Sequence, residues 1–368
     1  FIRHSAGLGK SPTEKDPDIY DHRNIHCDVL VVGAGISGIL AAKNAAKNNF
    51  KTLLIDEKNE LGGATIYQNR EFNRIDNQSS SDWIKKEINE LKNITNLEVK
   101  TRTSVAAYHG YNYLLARENL TDHLEKKDKI NKVRQRLLKI RAKKVILATG
   151  ALERPLVFNN NDRPGIMLST AVKKYAEFFG VKCGEKNVFF TNNDSAYESA
   201  LCLHNKGIKV NAIIDIRNNS NSKIVKAVEQ AGIKIYWSHT IVDTNGYRRL
   251  NDISIMKLSN DGMTVTGNRI NISCDCLGVA GGWTPAVHLF TQSGGKLKFD
   301  EDNNIFLPNK YPLDQISVGS CNGNFNLKEI INELSVKLKE FLKINQTDFD
   351  NISIDSEEET SKRNIWLL

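Results

Sequence analysis

Short apolar runs alternate with segments of helical character near the start of the chain. Residues 27–32 form an apolar run, the stretch 39–48 has the composition of a helix, and residues 51–55 form a second apolar run. Apolar runs of about four to eight residues bounded by turn signals are typical of buried strands. The glycine-rich segment 33–38 joins the first run to the helix without a break. This pattern predicts a strand, a tight turn, a helix and a second strand, which together form one βαβ unit.

The glycines of this turn have separate physical tasks. Gly33 allows the tight turn, Gly35 lets the backbone approach a pyrophosphate, and Gly38 lets the helix lie close to the strand. The helix begins here, and its unpaired N–H groups and the positive end of its dipole favour an anion. The turn therefore predicts a binding site for the phosphates of a dinucleotide.

Asp56 follows the second strand directly, where an acidic side chain can bond the hydroxyls of a ribose. An acid at this point repels a 2′-phosphate, so the sequence favours FAD or NAD over NADP. Glu57 and the Leu-Gly-Gly of residues 61–63 extend the pattern, and the second glycine pair, which ends at Gly63, lets the chain pass close to the cofactor. Residues 28–63 are thus predicted to hold the ADP half of an adenine dinucleotide.

The following segments are predicted to complete a sheet. The stretch 81–92 has amphipathic helical periodicity. The predicted strands of a small antiparallel meander are 97–105, 108–117 and 137–141. Residues 145–150 form a buried strand that ends in Ala-Thr-Gly, and we expect Thr149 and Gly150 to close back over the nucleotide.

A second βαβ pattern follows. Its predicted strand, helix and strand are 187–191, 195–206 and 209–215. The connecting turn, 191–196, has lost both leading glycines, so a side chain fills the space that a pyrophosphate needs. We therefore expect a Rossmann-like domain that binds no nucleotide. Residues 270–330 are expected to return to the first domain. They do so through strands at 274–280 and 316–319 and a helix from Leu327.

These patterns predict an α/β protein. It consists of two Rossmann-like dinucleotide-binding domains of the flavoprotein and pyridine-nucleotide-disulfide-reductase type, with the second inserted in the first. The predicted parts are an arm or linker at 1–26, the first domain at 27–152 and 270–342, the second domain at 153–269 and a linker at 343–368.

Composition narrows the class of protein. Hydrophobic residues make up 40% of the 368-residue chain, enough for two buried cores. The longest apolar run, 29–42, is shorter than a bilayer span and contains glycines, which argues against a membrane protein. The six cysteines are scattered and no signal-peptide pattern opens the sequence, so we expect a cytoplasmic protein. The formal charge is +8, but the basic stretch 126–144 has no interleaved aromatic residues, and we expect a solvated surface there rather than a nucleic-acid site.

Other chemical signals are weak or absent. The segment 62–67 contains no cysteine pair, so no redox disulfide is expected beside the nucleotide. Cys274 and Cys276 would be half of a metal site, but no second pair completes them, and structural cysteines are the preferred interpretation. His288 lies in an unusual loop, where a packed histidine is at least as good an interpretation as a functional one. We assign no metal ligand and no catalytic residue.

The choice between FAD and NAD depends on the residue that follows Gly319. Flavin enzymes of this fold usually carry Gly-Asp here, with a carboxylate that bonds the flavin ribityl chain, whereas this chain has Gly-Ser-Cys-Asn at 319–322. The flavin half has lost a contact while the ADP site is intact, and this combination favours NAD.

Four longer strings identify a family. They are Ala-Thr-Gly-Ala-Leu-Glu-Arg-Pro at 148–155, Asn-Asp-Arg-Pro-Gly-Ile-Met at 161–167, Thr-Asn-Asn-Asp-Ser-Ala-Tyr at 191–197 and Gly-Gly-Trp-Thr-Pro-Ala-Val-His at 281–288. Together they resemble the alpha subunit of heterotetrameric sarcosine oxidase, and the resemblance covers nearly the whole chain. It implies that the chain is the central, NAD-binding part of a longer subunit. That part would lie between a ferredoxin-like domain and a C-terminal domain that holds tetrahydrofolate.

The same resemblance implies an activity and partners. The family's complex demethylates sarcosine oxidatively to glycine and forms hydrogen peroxide, and the one-carbon unit leaves as 5,10-methylenetetrahydrofolate or formaldehyde. FAD and covalently attached FMN are implied on a beta subunit, which would also supply the catalytic residues. Gamma and delta subunits complete the heterotetramer.

The resemblance also implies residues that contact NAD. For the turn, the ribose and the adenine these are Ser37, Asp56, Glu57, Lys58, Ala64 and Val105, and for the nicotinamide side Gly319, Phe325 and Leu327. With the residues predicted from the pattern itself, the expected cofactor site is Gly33, Gly35, Ser37, Gly38, Asp56, Glu57, Lys58, Gly63, Ala64, Val105, Thr149, Gly150, Gly319, Phe325 and Leu327.

Two other functions remain open. An alpha-type subunit of a related amine, opine or proline dehydrogenase would hold FAD at the same site. A non-catalytic scaffold subunit would use the dinucleotide only to stabilise the fold, which the missing redox cysteines and the missing flavin carboxylate favour.

Overall fold

The computed structural model of the protein describes residues 5–7, 9, 11–67 and 72–356. Its α-helices there are α1 (Ile36–Lys47), α2 (Ser80–Leu91), α3 (Lys126–Lys129), α4 (Ser169–Phe178), α5 (Ser195–Asn205), α6 (Lys223–Gln230), α7 (His288–Gln292) and α8 (Leu327–Leu342). Short 3₁₀ turns span Gly63–Tyr67 and Gly319–Asn322.

The strands of the described residues are β1 (Ile19–Val32), β2 (Thr52–Ile55), β3 (Asn73–Ile75), β4 (Gln78–Ser79), β5 (Leu97–Lys100), β6 (Thr103–His109), β7 (Tyr113–Asn119), β8 (Val133–Leu147), β9 (Ala151–Glu153), β10 (Ile166–Leu168), β11 (Asn187–Thr191), β12 (Val210–Asp215), β13 (Ile235–Trp237), β14 (His239–Asn245), β15 (Asp252–Leu258), β16 (Val265–Ser273), β17 (Cys276–Ala280), β18 (Trp283–Pro285), β19 (Lys296–Asp300), β20 (Ile305–Lys310), β21 (Gln315–Ser317) and β22 (Ile354–Ser356).

The first sheet has seven strands, in the order β5-β2-β1-β8-β7-β6, with β21 beside β8. Strands β1, β2, β5, β8 and β21 run parallel, while β6, β7 and β8 form an antiparallel meander. The parallel strands therefore end at one edge of the sheet. The turns at Gly33, Asp56, Thr149 and Gly319 follow these ends, which is the edge where open α/β sheets bind ligands.

Helices α1, α2 and α8 share the core cluster on one face of this sheet. Every residue of α1 from Ile36 to Ala46 is buried, and its alanines let it lie close to the strands. Leu334 and Leu338 of α8 share one core cluster with Ile39 of α1. Burial of each such side chain stabilises the fold by about 1.5–3 kcal/mol. The cluster therefore holds the start of α1, and the glycine turn before it, in a fixed position.

The second sheet is parallel throughout, in the order β10-β17-β11-β12-β13. Helices α4, α5 and α6 pack on one face around Phe189 and Tyr197. The antiparallel sheet β14-β15-β16 covers the other face, where Phe190 and Ile255 are buried. An antiparallel ribbon of β9 and β18, in which Glu153 pairs with Trp283, lies between the two sheets in the chain. The predicted fold class is confirmed.

The first strand begins at Ile19 rather than at residue 27. Residues 19–26, which the sequence assigned to an arm, pair with β8 and belong to the sheet. Most of them are polar and exposed, and the strand there is fixed by its neighbour rather than by burial. One such contact joins Arg136 to Asp21, with 2.9 Å between Nε and Oδ2.

Three further segments differ from the predictions. Strand β17 lies inside the second sheet, between β10 and β11, so the expectation that 274–280 returns to the first domain is wrong. Residues 343–356 are not a free linker, because Phe349 joins the core cluster under α8 and β22 pairs with β3. The remainder of the predicted linker, 357–368, lies outside the described residues. The predicted strand 97–105 is divided into β5 and β6 at Arg102, which has a φ of 51°.

Candidate dinucleotide site

The glycine turn between β1 and α1 is shaped by close backbone contacts. Gly33 has a φ of 99°, and a Cβ there would lie 2.3 Å from the carbonyl oxygen of Ala148. A Cβ at Gly38 would lie 1.8 Å from the carbonyl oxygen of Gly33. Both distances are far inside van der Waals contact, so neither position accepts a side chain without a shift of the backbone. These two glycines let the turn, the helix and β8 meet.

Gly35 differs from its neighbours in having open space around it. A Cβ at Gly35 would meet no protein atom within 4 Å, and its φ of −72° suits any residue. Gly35 precedes the first turn of α1, which contains no acidic residue. The absence of a side chain here therefore leaves room for a ligand beside unpaired N–H groups, as an anion at a helix N-terminus requires.

The second glycine pair lies against the first turn. Gly62 donates its N–H to the carbonyl oxygen of Ala34 at 2.7 Å and forms a parallel bridge with Gly35. Gly63 has a φ of 57°, and a Cβ there would lie 2.9 Å from Cα of Gly35. The chain therefore passes the glycine turn at a distance that only glycine permits, while the predicted approach of this pair to the cofactor stays a prediction.

Asp56 is fixed beside the same turn. Its Oδ2 accepts the N–H of Ala34 at 2.6 Å, and its Oδ1 accepts the N–H of Lys58 at 2.8 Å. A carboxylate has about four lone-pair sites, so both oxygens can accept further bonds from a ribose. The half-buried carboxylate is thus held in place at the end of β2.

Strand β6 is tied to this segment. The backbone of Asp56 accepts the N–H of Thr103 at 2.9 Å, and that of Lys58 accepts the N–H of Arg102 at 2.8 Å. Val105, the predicted adenine contact, follows on β6 and is half-buried. The side chains of Glu57, Lys58 and Ala64 are exposed. The structure therefore places the predicted ribose and adenine residues on one side of the turn.

Ser37 and Gly319 meet on the other side of the turn. A Cβ at Gly319, which has a φ of 71°, would lie 2.3 Å from Oγ of Ser37. The N–H of Gly319 donates to Oε2 of Glu333 at 3.2 Å. Phe325 is half-buried, but the side chain of Leu327 is 4% exposed and packs in the core. Leu327 could meet a ligand only through its backbone.

The Ala-Thr-Gly turn is held by the segment after β18. Oγ1 of Thr149 donates to the carbonyl oxygen of Ala286 at 2.8 Å, and the N–H of Ala286 donates to the carbonyl oxygen of Gly150 at 3.0 Å. Gly150 has a φ of 71°. The hydroxyl of Thr149 is therefore occupied in positioning the turn.

Comparison with known proteins identifies the family. The profile described as pyridine nucleotide-disulphide oxidoreductase matches residues 27–312. The chain belongs to this family. Together with the open space at Gly35, the membership indicates a dinucleotide cofactor, FAD or NAD, and a flavin- or nucleotide-dependent oxidoreductase.

Two relatives with similar sequences are sarcosine oxidase alpha subunits. The one from Corynebacterium sp. (strain P-1) is 38% identical over 322 residues, which cover 87% of this chain and 33% of the relative. The one from Rhizobium meliloti (strain 1021) is 34% identical over 307 residues, which cover 83% of this chain and 29% of the relative. The predicted resemblance is confirmed, and the chain spans about a third of the length of these relatives.

Solved structures share the fold. L-proline dehydrogenase from P. horikoshii superposes with a TM-score of 0.63 at 19% identity, covering 92% of this chain and 61% of that one. Thioredoxin reductase from T. acidophilum superposes with a TM-score of 0.63 at 18% identity, covering 87% of this chain and 97% of that one.

In the second βαβ unit, side chains of the protein itself fill the turn where a phosphate would bind. Asn193 is 2% exposed, and its Oδ1 accepts the N–H of Ser195 at 2.8 Å. Arg217, 3% exposed, lies between two carboxylates, 2.7 Å from Asp194 and 2.7 Å from Asp215. The hydroxyl of Tyr197 donates to Asp215 at 2.7 Å. The network occupies the space beside α5, consistent with the interpretation of this unit as one without a nucleotide.

The disulfide in the family's name has no counterpart at the glycine turn. All six cysteines are free thiols. Cys274 and Cys276 are buried, and burial raises the pKa of each to about 12. Within the described ranges, no three His, Cys, Asp or Glu side chains are placed to share a metal ion. The two cysteines therefore have the environment of structural thiols.

Sequence reasoning missed one titratable residue near the site. Glu153 follows the Ala-Thr-Gly turn and is 8% exposed. Its Oε2 accepts the N–H and the hydroxyl of Thr170, at 2.9 and 2.5 Å. Burial raises its pKa from 4.5 to about 7, although the bonds from Thr170 oppose the shift. The strand Ala151–Glu153 is too short to show a periodic pattern, so the sequence gives no signal of such burial. His288, for which the sequence leaves both a packed and a functional role open, is exposed at the start of α7.

Part of the basic stretch is neutralised by acidic neighbours. Ion pairs join Lys127 with Glu125, Arg134 with Asp18 and Asp122, Arg136 with Asp21 and Glu118, and Lys143 with Asp28. They support the interpretation of a solvated surface. In the part of the chain that the structure describes, no helix combines the length and the apolar character needed to cross a bilayer.

Proposed function

We propose that the chain is the NAD-binding part of a sarcosine oxidase alpha subunit. The observation that carries this proposal is the 38% identity to such a subunit over 87% of the chain. The open cradle at Gly35 supports it, since the residues present fit a dinucleotide. The complex would demethylate sarcosine to glycine with formation of hydrogen peroxide and of 5,10-methylenetetrahydrofolate or formaldehyde.

In this proposal the residues at the edge of the first sheet bind and orient the nucleotide. The N–H groups at the start of α1 hold the pyrophosphate, and Asp56 bonds the ribose through the lone pairs that Ala34 and Lys58 leave free. The carboxylate excludes a 2′-phosphate by charge repulsion. A nicotinamide dinucleotide supplies a hydride acceptor when it is chemically active.

The preference for NAD over FAD rests on Gly319 and its successor. Ser320 stands where a flavin enzyme of this fold has a carboxylate for the ribityl chain. The carboxylate of Glu333 already accepts the N–H of Gly319 at 3.2 Å and pairs with Lys337 at 2.8 Å. The residue after Gly319 therefore supplies no carboxylate for a ribityl chain.

Catalysis would depend on partners. FAD and covalently bound FMN are expected on a beta subunit, and tetrahydrofolate is expected on a folate-binding domain. Gamma and delta subunits are expected to complete the assembly. The chain's own contribution would be to hold the nucleotide and to present a surface to the other subunits.

Sarcosine-dependent peroxide release tests this proposal. The purified chain, supplied with FAD and FMN, is expected to release no peroxide above the rate of the buffer. Co-expression with a beta-type subunit should give a stable complex in which sarcosine drives peroxide formation. If the isolated chain turned sarcosine over as fast as the complex, the assignment to a subunit would be wrong.

A further inference from the structure

A cavity of about 330 Å³ lies under the C-terminal half of α8, at the opposite end of β21 from Gly319. Its walls are the side chains of Tyr311, Ile316 and Phe341, and lysines line its rim. Pockets for small ligands have volumes of about 300–1,000 Å³, are mostly apolar and carry a few convergent polar groups. The cavity lies at the low end of this range in volume, its lining is mostly apolar, and it shares no residue with the predicted dinucleotide site.

The charges around the cavity are unbalanced. Lys144, Lys337 and Lys343 line it, against one carboxylate, that of Glu340. Lys337 is paired with Glu333 at 2.8 Å and with the carbonyl oxygen of Ser317 at 2.9 Å. Lys144 and Lys343 form no ion pair within the described residues. Two ammonium groups at the rim are therefore available to an anion.

The position of Lys144 is fixed by the strand and by an aromatic ring. Its Nζ lies 4.3 Å from the centroid of the Phe341 ring, a distance at which a cation is attracted to the ring face. Successive side chains of a strand point to opposite faces. Lys144 accordingly shares its face with Ile146 under α8, whereas Lys143 points to the other face and pairs with Asp28 at 2.8 Å.

We propose that this cavity binds a small organic anion, namely a carboxylate or phosphate attached to a flat apolar group. The apolar group would lie against Tyr311 and Ile316. The anionic group would reach Lys144 and Lys343 at the rim. The cavity lies apart from the glycine turn, and the ion pair of Lys337 with Glu333 connects its lining to the N–H of Gly319.

Fluorine NMR of a matched ligand pair tests the site. The charged probe is 4-fluorophenylacetate and the neutral one is 4-fluorophenylacetamide, which has the same ring. The chain with its nucleotide bound should broaden the resonance of the acid, and the Kd of the amide should be at least about tenfold higher. Equal affinity for the two probes, or no broadening of the acid at millimolar concentration, would overturn the proposal.

Variants locate the binding. The double variant Lys144→Met and Lys343→Met keeps the apolar stems of both side chains and removes their charges. Its Kd for the acid should rise by about tenfold or more, while Lys143→Met, the neighbouring lysine on the other face, should bind as the wild type does. Retention of wild-type affinity in the double variant would show that the acid binds elsewhere. Circular dichroism melting confirms that each variant is folded.

Discussion

The carboxylate of Asp56 accepts a hydrogen bond from the backbone N–H of Ala34, with 2.6 Å between the two atoms. The bond joins the end of β2 to the glycine turn, although the two residues belong to different elements of the βαβ unit. A second bond, from the N–H of Lys58 at 2.8 Å, fixes the other oxygen. Asp56 therefore shapes the site even before any ribose binds.

Two replacements of Asp56 should weaken NAD binding to different extents. Asp56→Ala removes the ribose acceptor and the support of the turn, and should cost roughly 1.5–3 kcal/mol of binding free energy. Asp56→Asn keeps one acceptor and should lose less. Isothermal titration measures both, with the exposed Glu60→Gln as a control. Unchanged affinity in Asp56→Ala would remove Asp56 from the site.

Substitutions at two glycines at the start of α1 should distinguish a loss of nucleotide binding from a loss of stability. Gly35→Val places a side chain in space where a Cβ meets no protein atom within 4 Å, so the melting temperature without nucleotide should change little while binding is lost. Gly38→Ala puts a methyl group 1.8 Å from the carbonyl oxygen of Gly33 and should destabilise the fold by about 2 kcal/mol or more. Melting and titration of both variants check this. A stable Gly35→Val that still binds would place the dinucleotide elsewhere.

The local sequence pattern predicted the helices and strands more reliably than it predicted which strands pair with each other. The strand predicted at 187–191 is observed as Asn187–Thr191, and the helix predicted at 195–206 as Ser195–Asn205, because apolar runs and helical periodicity are local signals. The early start of β1 at Ile19 depends on pairing with β8, more than a hundred residues away in sequence. The sheet to which β17 belongs is also set by distant contacts. Neither relationship is present in a local pattern.

The same contrast holds for the site. Gly33, Gly35 and Gly38 could be assigned tasks from spacing alone, since each task follows from the lack of a Cβ. The core position of Leu327 and the burial of Glu153 could not, because both depend on how the segments after β8 fold back over the sheet.

Glu153 should make stability depend on pH. Its folded pKa of about 7 lies above the ordinary value of 4.5, so the folded state binds more protons between these values and loses stability as pH rises through the window. The free energy of unfolding should fall by about 1–3 kcal/mol between roughly pH 4.5 and pH 7 for this residue alone. Urea unfolding of the wild type and of Glu153→Gln over this range measures the difference.

The control for this prediction is Glu185→Gln, since the side chain of Glu185 is 72% exposed. Its pH profile should follow that of the wild type. If the profile of Glu153→Gln also followed the wild type, Glu153 would titrate at an ordinary pKa and the account of its burial would be wrong.

The identity of the bound nucleotide tests the central claim most directly. The purified chain is denatured, the protein is removed, and the supernatant is separated by chromatography and analysed by mass spectrometry. The account predicts about one NAD per chain, because Asp56 and the turn at Gly35 form one dinucleotide site while Asn193 and Arg217 fill the second. The same analysis of Gly35→Val should yield none. FAD in a stoichiometric amount, or NAD retained by Gly35→Val, would contradict the account.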